Sequence, residues 1–397
     1  MSNKEQRKAP VLRFKGFTDD WEQRKLGDIA NVYDGTHTTP DYQKNGIMFL
    51  SVENIDTLTS KKFITKSDYL ENYKHKPEYH DIFMTRIGSI GKTNILETHD
   101  PRAFYVSLAL IKPKDIDPYY LKYWLSSNTT QKEIWRRTLQ IAFPQKINKD
   151  EISKVQSSIS KSKNEQYNIG QLLNKIDHLL LLQQRKLDEL IQIKEGIGQG
   201  LLNRHYRNLS IRFNQENSSW KQTKLGKIAS FVNGRAFKQK ELMNRGLYPV
   251  LRVGNFYTNN KWYYSNLNLS PDKYANKGDL LYTWSASFGP HVWKGPKVIY
   301  HYHIWKINFD PAVISKAYLY EFLKLDKKEI LANSNGSTMI HITKKDMENK
   351  MITVPDMNEQ IKIGKILEKL DLKIELNKNK LNNLKSVKQF LLQKMFM

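Results

Sequence analysis

The chain of 397 residues contains no cysteine. This absence excludes disulfide bonds and thiolate metal sites, and it is typical of proteins from a reducing cytoplasm. No apolar run approaches the ~20 residues that a membrane-spanning helix requires, and the polar residues 1–8 do not resemble a signal peptide. We therefore expect a cytoplasmic protein without a membrane anchor.

Motifs of the enzymes that act on DNA are also missing. The sequence has no Asn/Asp-Pro-Pro-aromatic tetrapeptide of the amino-methyltransferase type, no glycine-rich turn suited to a methyl donor and no Walker-type phosphate loop. Glu348-Asn-Lys350 with Asp326 has a spacing found in some nucleases, but in so basic a chain it arises easily by chance. His301 and His303 lack the third ligand that would complete a metal site. We therefore predict a non-catalytic protein that holds no metal.

Acidic residues are scarce relative to basic ones. The chain has 40 Asp and Glu against 64 Lys and Arg, which gives a formal net charge of +24. Such an excess attracts polyanions, above all nucleic acid, whereas an anionic membrane would need an amphipathic anchor that is absent here. The 21 Tyr, 16 Phe and 8 Trp can stack on bases or fill a β-rich core. Composition therefore favours nucleic-acid binding.

The sequence does contain an internal repeat. Near-copies 199 residues apart read Trp21-Glu-Gln-Arg-Lys-Leu-Gly-Asp-Ile-Ala30 and Trp220-Lys-Gln-Thr-Lys-Leu-Gly-Lys-Ile-Ala229. A second pair, 194 residues apart, spans Asn164–Asp177 and Asn358–Asp371. Residues 36–145 and 235–340 share little. The chain is therefore an internal repeat of two copies, which predicts a common scaffold with two different surfaces.

Apolar residues after the second repeated segment follow a heptad pattern. The steps alternate between four and three residues, which is the a/d spacing of a coiled coil. The first series is Ile169, Leu173, Ile176, Leu180, Gln183, Leu187, Leu190, Lys194, Ile197 and Leu201. The second series, each member 194 residues later, is Ile363, Leu367, Leu370, Ile374, Asn377, Leu381, Leu384, Lys388, Leu391 and Met395. We predict two helices of about 40 residues, hence ~60 Å each.

Polar residues interrupt both series at the same places. Gln183 and Asn377 lie near the centres of their series, and Lys194 and Lys388 lie further along. A polar residue within an apolar seam lowers stability but specifies register. We predict that the helices pair antiparallel about a pseudo-two-fold axis and bring Gln183 and Asn377 within about one turn of each other. The alternative is that both side chains face solvent at a widened seam.

Each half of the chain combines β-like runs with later helices. The runs are Ile47–Val52, Asp81–Thr85 and Phe104–Ile111 before a helix at Asp117–Ser127, and Pro249–Val253, Asp279–Thr283 and His303–Asn308 before a helix near Ser315–Leu325. This order predicts an α+β protein in which two mixed α/β domains are separated by two long helices that form an antiparallel coiled coil. The predicted boundaries are an N-terminal arm at 1–20, domains at 21–160 and 206–355, a central helical region at 161–205 and a C-terminal helical region at 356–397.

Glycine-containing loops supply the candidate binding residues. Gly35–Pro40 and Gly234–Lys238 follow the repeated Trp segments, and Arg86–Lys92 and Trp284–Gly289 follow matching strands. Glycine permits a close approach to a ligand, and basic or short polar side chains reach phosphates or base edges. Solvated or purely structural loops are the alternative. The predicted contacts are Thr36, His37, Thr38, Arg86, Ser89 and Lys92 in the first domain, and Arg235, Lys238, Arg252, Trp284, Ser285 and His291 in the second.

The order of these motifs resembles the specificity subunit of type I restriction-modification systems. The resemblance covers essentially the whole chain and is carried by Trp21–Ala30, Trp220–Ala229, Asn164–Asp177 and Asn358–Asp371. It implies two target-recognition domains, each binding one half of a split double-stranded DNA site, and a coiled coil that spaces them. It also implies two modification subunits that use S-adenosylmethionine and two restriction subunits that hydrolyse ATP with magnesium. The specificity subunit itself would be non-catalytic, in agreement with the missing motifs.

Two other interpretations remain at this stage. One is a non-catalytic coiled-coil scaffold or regulator that does not read DNA sequence and whose charge keeps it soluble. The other is an enzyme with an unfamiliar active site. If the resemblance holds, the divergent domains predict an asymmetric bipartite DNA site, because base contacts specify and phosphate contacts mainly add salt-sensitive affinity.

Overall fold

Two modules of the same topology alternate along the chain with two long helices. The computed structural model describes residues 9–202, 220–257, 259–285, 287–333 and 342–397. Its contacts divide the chain into two compact units, the residues up to 185 together with 379–397, and residues 186–378. Residues 1–8 of the predicted arm, and 203–219 around the predicted boundary at 205, lie outside the described residues. Each unit combines one module with one segment of each long helix.

The first module is built from short strands and helices. Its elements are β1 (Glu22–Lys25), α1 (Leu26–Ile29), β2 (Ala30–Asp34), β3 (Ile47–Leu50), β4 (Phe63–Ile64), α2 (Lys66–Asn72), β5 (Ile82–Thr85), β6 (Thr93–Ile95), β7 (Arg102–Phe104), β8 (Leu108–Pro113), α3 (Pro118–Ser126), α4 (Asn128–Arg136), α5 (Lys149–Ser153) and β9 (Gln156–Ile159). The strands form one sheet in the order β2-β8-β5-β6 and another in the order β4-β3-β7, while β1 pairs with β9. All pairs are antiparallel except β3 with β7.

The second module repeats this plan after the first long helix, α6 (Lys163–Leu202). Its elements are β10 (Lys221–Lys224), β11 (Ala229–Asn233), β12 (Tyr248–Leu251), β13 (Tyr263–Ser265), β14 (Tyr274–Ala275), β15 (Leu280–Thr283), β16 (Gly289–Val292), β17 (Val298–Tyr300), β18 (Ile304–Phe309), α7 (Lys316–Asn333), α8 (Lys344–Asn349) and β19 (Met351–Val354). The sheets run β11-β18-β15-β16 and β13-β12-β17-β14, and β10 pairs with β19. The parallel pair is β12 with β17. The second long helix, α9 (Met357–Lys394), follows.

The predicted α+β class and internal repeat are confirmed. The β-like runs named from the sequence all contain observed strands, although most strands are shorter. His303, which the sequence placed at the start of a β-like run, does not lie on a strand. His301 and His303 occupy the turn between β17 and β18, because the chain must reverse there to pair β18 with β11 and β15.

The two long helices run antiparallel within each unit. In the second unit Lys194 Nζ contacts Asp371 at 2.5 Å, and Gly198 on α6 lies against Leu367 on α9. Residues later in α6 therefore contact residues earlier in α9, as expected for antiparallel helices. In the first unit the start of α6 shares a core with the last turn of α9, where Ile169 and Leu173 are fully buried beside Leu391 and Met395. The heptad pattern thus describes a buried seam in each unit.

The repeated sequence segments meet in space, which explains why they occur together. In the first unit Trp21 Nε1 donates to Glu165 Oε2 at 3.0 Å, and in the second Trp220 Nε1 donates to Glu359 Oε2 at 3.0 Å. Both carboxylates are buried at the start of a long helix. The same hydrogen bond therefore attaches each module to its following helix.

The glutamine and glycine of the repeated helix starts position a shorter helix. The side chain of Gln166 accepts from the backbone N–H of Asp117, the N-cap of α3, and Gln360 accepts from that of Ser315, just before α7. A Cβ on Gly170 would lie 2.7 Å from the backbone nitrogen of Tyr120. Glycine is therefore required where α6 crosses α3.

The lysines that interrupt the heptads form ion pairs with the repeated aspartates. Lys388 Nζ contacts Asp177 at 2.5 Å in the first unit, and Lys194 contacts Asp371 in the second. Asn377 is 8% exposed and donates to the carbonyl of Lys373 in its own helix, while Gln183 is half-buried. Because the ion pairs recur 194 residues apart, the same register is specified in both units. The close approach of Gln183 to Asn377 stays a prediction.

Candidate functional site

Four strand ends meet at one point in each module, where the two sheets join. We call this point the sheet junction. In the first module it consists of Thr36, Ser51, Arg86, Tyr105, Val106 and Ser107, which follow β2, β3, β5 and β7. In the second it consists of Arg235, Arg252, Trp284, His301, Tyr302 and His303, which follow β11, β12, β15 and β17. The two sets are equivalent in position but share no residue.

The backbone of the two junctions is hydrogen-bonded in the same way. In the first module Thr36 N donates to Phe104 O (3.1 Å), Val106 N to Thr36 O (2.9 Å), Tyr105 N to Leu50 O (2.8 Å), Leu108 N to Tyr105 O (2.9 Å) and Arg86 N to Ser107 O (3.0 Å). In the second Arg235 N donates to Tyr300 O (3.0 Å), Tyr302 N to Arg235 O (3.0 Å), His301 N to Leu251 O (2.9 Å), Ile304 N to His301 O (2.9 Å) and Trp284 N to His303 O (3.1 Å). One backbone frame therefore presents two different sets of side chains.

A glycine permits the strand crossing at each junction. A Cβ on Gly35 would lie 2.4 Å from the carbonyl oxygen of Phe104, and a Cβ on Gly234 would lie 2.1 Å from that of Tyr300. No side chain fits into such gaps. The glycines that the sequence marked as loop residues are thus needed for the frame itself.

At the first junction most polar side chains point inward. Arg86 is 6% exposed; its Nη1 pairs with Asp34 and its Nε donates to the carbonyl of Ile147 at 3.1 Å. Ser51 and Ser107 are also buried, at 8% and 5% exposure. The structure therefore places Arg86 inside the module, where a carboxylate on β2 neutralises it, and its role as a DNA contact stays a prediction.

A hollow of about 270 Å³ opens beside the buried serines. It is lined by Thr39, Tyr42, Phe49, Ser51, Val52, Glu53, Lys62, Tyr105 and Ser107. A hydrogen bond with Ser51 and the ion pair with Lys62, 3.1 Å away, keep the pKa of Glu53 below its ordinary value. The first junction is thus a concave surface of hydroxyl groups with one carboxylate at its edge.

At the second junction the same positions carry cationic and aromatic groups. Arg235 Nη2 pairs with Glu241 at 2.5 Å. The guanidinium of Arg252 lies over the ring of Tyr263, with 4.4 Å between its Cζ and the ring centroid. Within the described residues, the buried Nε atoms of both arginines lack a hydrogen-bond partner. Both side chains are half-buried, so part of each guanidinium reaches the surface.

Imidazole and indole rings complete the second junction. The ring centroids of His301 and His303 lie 5.0 Å apart, and the ring of Trp284 lies 4.9 Å from that of His303. Burial, His303 and Arg252 together lower the pKa of His301 to about 4. His301 is therefore neutral near pH 7. Its Nδ1 lies 3.5 Å from the backbone nitrogen of His303 and can accept from it, which favours the tautomer with a proton on Nε2.

The remaining predicted contact residues lie around the junctions with different exposures. In the first module His37, Thr38, Ser89 and Lys92 are exposed. In the second module Lys238 is exposed and Ser285 is half-buried. His291 on β16 stacks on Phe256 with 4.0 Å between centroids, and burial followed by the charge of Lys327 lowers its pKa to about 4. His291 therefore forms part of the packing of the sheet, whereas the exposed residues stay predicted contacts.

Sequence reasoning missed four residues of the first junction. Ser51, Tyr105, Val106 and Ser107 carry no local motif, and they reach the junction only through pairing with residues far along the chain, as in the bridge between Thr36 and Tyr105. Comparison of the two repeats at a fixed offset would not have found them. The repeated segments lie 199 and 194 residues apart, whereas Tyr105 and its equivalent His301 lie 196 residues apart, so their equivalence follows from the backbone hydrogen bonds alone.

The suspected nuclease and metal motifs have structural explanations. Lys350 Nζ pairs with Asp326 at 2.8 Å, and Asp326 is 1% exposed, which makes this an internal ion pair. Across the described ranges, no group of three or more His, Asp or Glu side chains has metal-ligand geometry. In the same part of the chain, no helix is both long and apolar enough to cross a membrane.

Known proteins with similar sequence match the whole chain or about half of it. The family model described as type I restriction modification DNA specificity domain matches residues 18–192 and again 217–386. The MjaX type I restriction enzyme specificity subunit of Methanocaldococcus jannaschii is 25% identical over 396 residues, covering 94% of this chain and 91% of that one. The EcoBI specificity subunit of Escherichia coli is 22% identical over 171 residues, covering 43% and 36%.

Solved structures share the fold. The S subunit of a type I restriction-modification system from M. genitalium superposes with a TM-score of 0.66 at 16% identity, covering 98% of this chain and 99% of that one. A chain from a study of complex assembly and conformational transition of the type I restriction-modification system gives 0.55 at 12% identity, covering 96% and 98%. With two copies of the family's domain spanning most of its length, the chain belongs to the family of type I restriction modification DNA specificity domains.

Proposed function

We propose that the chain is the DNA specificity subunit of a type I restriction-modification complex, in which each module reads one half of an asymmetric bipartite DNA site. The observation that carries this proposal is the pair of sheet junctions. They have the same backbone hydrogen bonds and entirely different side chains. A scaffold that only bound protein would have no reason to keep one frame and vary its surface groups twice.

The charge of the chain supports a nucleic-acid ligand. Its 64 basic residues exceed its 40 acidic ones, and lysine and arginine contacts with phosphates supply affinity that falls steeply with salt. The sequence-dependent part of the binding energy comes from hydrogen bonds and apolar contacts with base edges. Affinity is thus spread over the surface, whereas specificity belongs to a few side chains in each module.

In this proposal the long helices set the spacer between the half-sites and bind modification subunits. α6 has 40 residues, hence a length of ~60 Å, while equivalent groove faces of DNA recur every ~34 Å. The repeated ion pairs Lys388–Asp177 and Lys194–Asp371 support a fixed register, because a shift along either helix would separate each pair.

The proposal assigns the chemistry to partner subunits in the cytoplasm. Two modification subunits would bring S-adenosylmethionine and methylate adenine, and two restriction subunits would use ATP and magnesium. This chain itself would be non-catalytic, which agrees with a sequence that lacks methyltransferase and Walker motifs.

Co-expression with a type I modification subunit tests the proposal. Methylated adenines are mapped across the genome of hosts that express both proteins, the modification subunit alone, or this chain alone. We expect methylation of a split, asymmetric sequence only when both proteins are present. Methylation by this chain alone would show that it is an enzyme, and an unsplit or unchanged methylation pattern would contradict the bipartite reading.

A further inference from the structure

The sheet junction of the second module is a hydrogen-bond donor surface. Arg252 contributes a guanidinium fork, and His301 contributes Nε2–H when its Nδ1 accepts from His303 N. At the equivalent positions the first module has Ser51 and Tyr105, whose hydroxyl groups both donate and accept. The same backbone frame therefore presents hydrogen-bond donors in the second module and hydroxyl groups that can either donate or accept in the first.

The guanidinium of Arg252 is oriented by an aromatic ring, and no carboxylate of the described residues forms an ion pair with it. Arg86 pairs with Asp34 and Arg235 pairs with Glu241, whereas Arg252 rests on the ring of Tyr263. Within the described residues, its buried Nε has no hydrogen-bond partner. Withdrawing a cation from water without a counter-charge is costly, so an acceptor brought by a ligand would gain more here than at the neutralised arginines.

Among the four bases, guanine fits this surface best. In the major groove its edge presents two neighbouring acceptors, O6 and N7, whereas adenine, thymine and cytosine each present a donor, a methyl group or a single acceptor. A planar guanidinium held by an aromatic ring can donate to both guanine atoms at once. Trp284, next to His303, adds an apolar wall beside the donors.

We propose that Arg252 and His301 are specificity-determining residues of the second module and that they read a guanine in its half-site. This inference rests on the proposed function. It adds that the hollow lined by Tyr105 and, at its base, Ser51 in the first module, which is equivalent in the backbone frame, determines the other half-site. The difference between the two half-sites then follows from side chains on a common frame.

Arg252→Lys is the decisive variant, because it keeps the charge and removes the fork. Methylation mapping and competition binding are carried out on the complex with its modification subunit. At one G·C pair of one half-site, we expect the preference over other base pairs to fall by about 5- to 150-fold. Affinity for unrelated DNA should not change. Arg245→Lys, at an exposed arginine of the same module, is the matched control and should leave the preference unchanged.

A second variant installs first-module residues in the second junction. The combination Arg252→Ser, His301→Tyr and His303→Ser alters no main-chain donor or acceptor of the frame, and thermal unfolding checks that the module is intact. We expect the methylated sequence to change in the same half-site that Arg252→Lys affects, while the other half stays constant.

Three results separate the inference from the proposed function. If the unaltered complex methylates no split site, the proposed function fails and the inference fails with it. If it does, but Arg252→Lys leaves base preference intact, the inference alone is overturned. If the combination with Arg252→Ser instead lowers affinity uniformly on all sequences, with a salt slope smaller by about 1, Arg252 is a phosphate contact and the guanine reading is also overturned.

Discussion

Replacing Glu165 with glutamine tests how the first module is attached to α6. The carboxylate is fully buried. It accepts from Arg13 Nε at 2.7 Å and Nη2 at 2.8 Å, from Trp21 Nε1 at 3.0 Å and from Ser160 Oγ at 2.6 Å. Glutamine has the same shape but no charge, and its amide N–H₂ group would face these donors. The variant therefore removes the ion pair without creating a cavity.

The expected decrease in the free energy of unfolding can be estimated from the burial of the ion pair. Removing one partner of a buried ion pair costs about 3–5 kcal/mol. Because Arg13 is 12% exposed and still donates to Asp19 O at 2.9 Å, we expect the lower end, about 3 kcal/mol. For a unit of this size, ~1 kcal/mol shifts Tm by about 2–4 °C. The unfolding transition of the first unit should thus fall by about 6–12 °C.

The stability difference between Glu165→Gln and the unaltered chain should become smaller at acidic pH. Burial opposes ionisation of Glu165, but hydrogen bonds from Arg13, Ser160 and Trp21 outweigh it and leave its pKa below the ordinary value. A carboxylate with a lowered folded pKa stabilises fully above its unfolded pKa of about 4.3. This stability is lost as pH falls through the lower folded value. The difference between the variant and the unaltered chain should stay constant near neutral pH and narrow in acid.

Thermal unfolding followed by circular dichroism across this pH range provides the measurement. Glu22→Gln is the matched control, because Glu22 forms an exposed pair with Arg24 at 3.0 Å, and such pairs contribute about 0–1 kcal/mol. If Glu165→Gln behaves like Glu22→Gln, or if the difference widens on acidification, the buried ion pair does not hold the module as described.

Three further predictions concern the helices. Asp177→Asn should destabilise the first unit by about 1–2 kcal/mol in urea unfolding, because Lys122 and Lys388 lose the carboxylate that they share. Asp371→Asn should cost the second unit less, because Glu321 still pairs with both Lys194 and Lys324; a larger loss in the second unit would contradict this account. Gln183→Leu combined with Asn377→Leu should raise Tm by roughly the equivalent of 1 kcal/mol if both amides are buried in the seam, and an unchanged or lower Tm argues against burial. Inserting four residues into either helix, a lengthening of about 6 Å, should change the spacer in methylation mapping and neither half-site; altered half-sites with a constant spacer would refute the model.

The scaffold could be predicted from the sequence because its signals are local or repeated. The heptads predicted both helices, and α6 begins at Lys163, one residue before the repeated segment Asn164–Asp177. The repeat showed that Trp21 and Glu165 belong to the same frame, although not that they touch. Distant pairing was out of reach, since the neutralisation of Arg86 depends on Asp34, 52 residues earlier. The local sequence shows which side chains lie near a glycine loop. Whether such a side chain points into the module or to the surface depends on which distant strand packs against the loop.

The sheet junctions are held by main-chain groups, and this has a consequence for how the chain can change over generations. Substitutions at Arg252 or His301 leave every hydrogen bond of the frame in place, so they should alter recognition at little cost in folding. Substitutions at such positions therefore cost little stability, and new base preferences can arise without a compensating mutation elsewhere. A library randomised at the junction positions should consist mostly of folded members. The glycines beneath them, Gly35 and Gly234, should tolerate almost nothing.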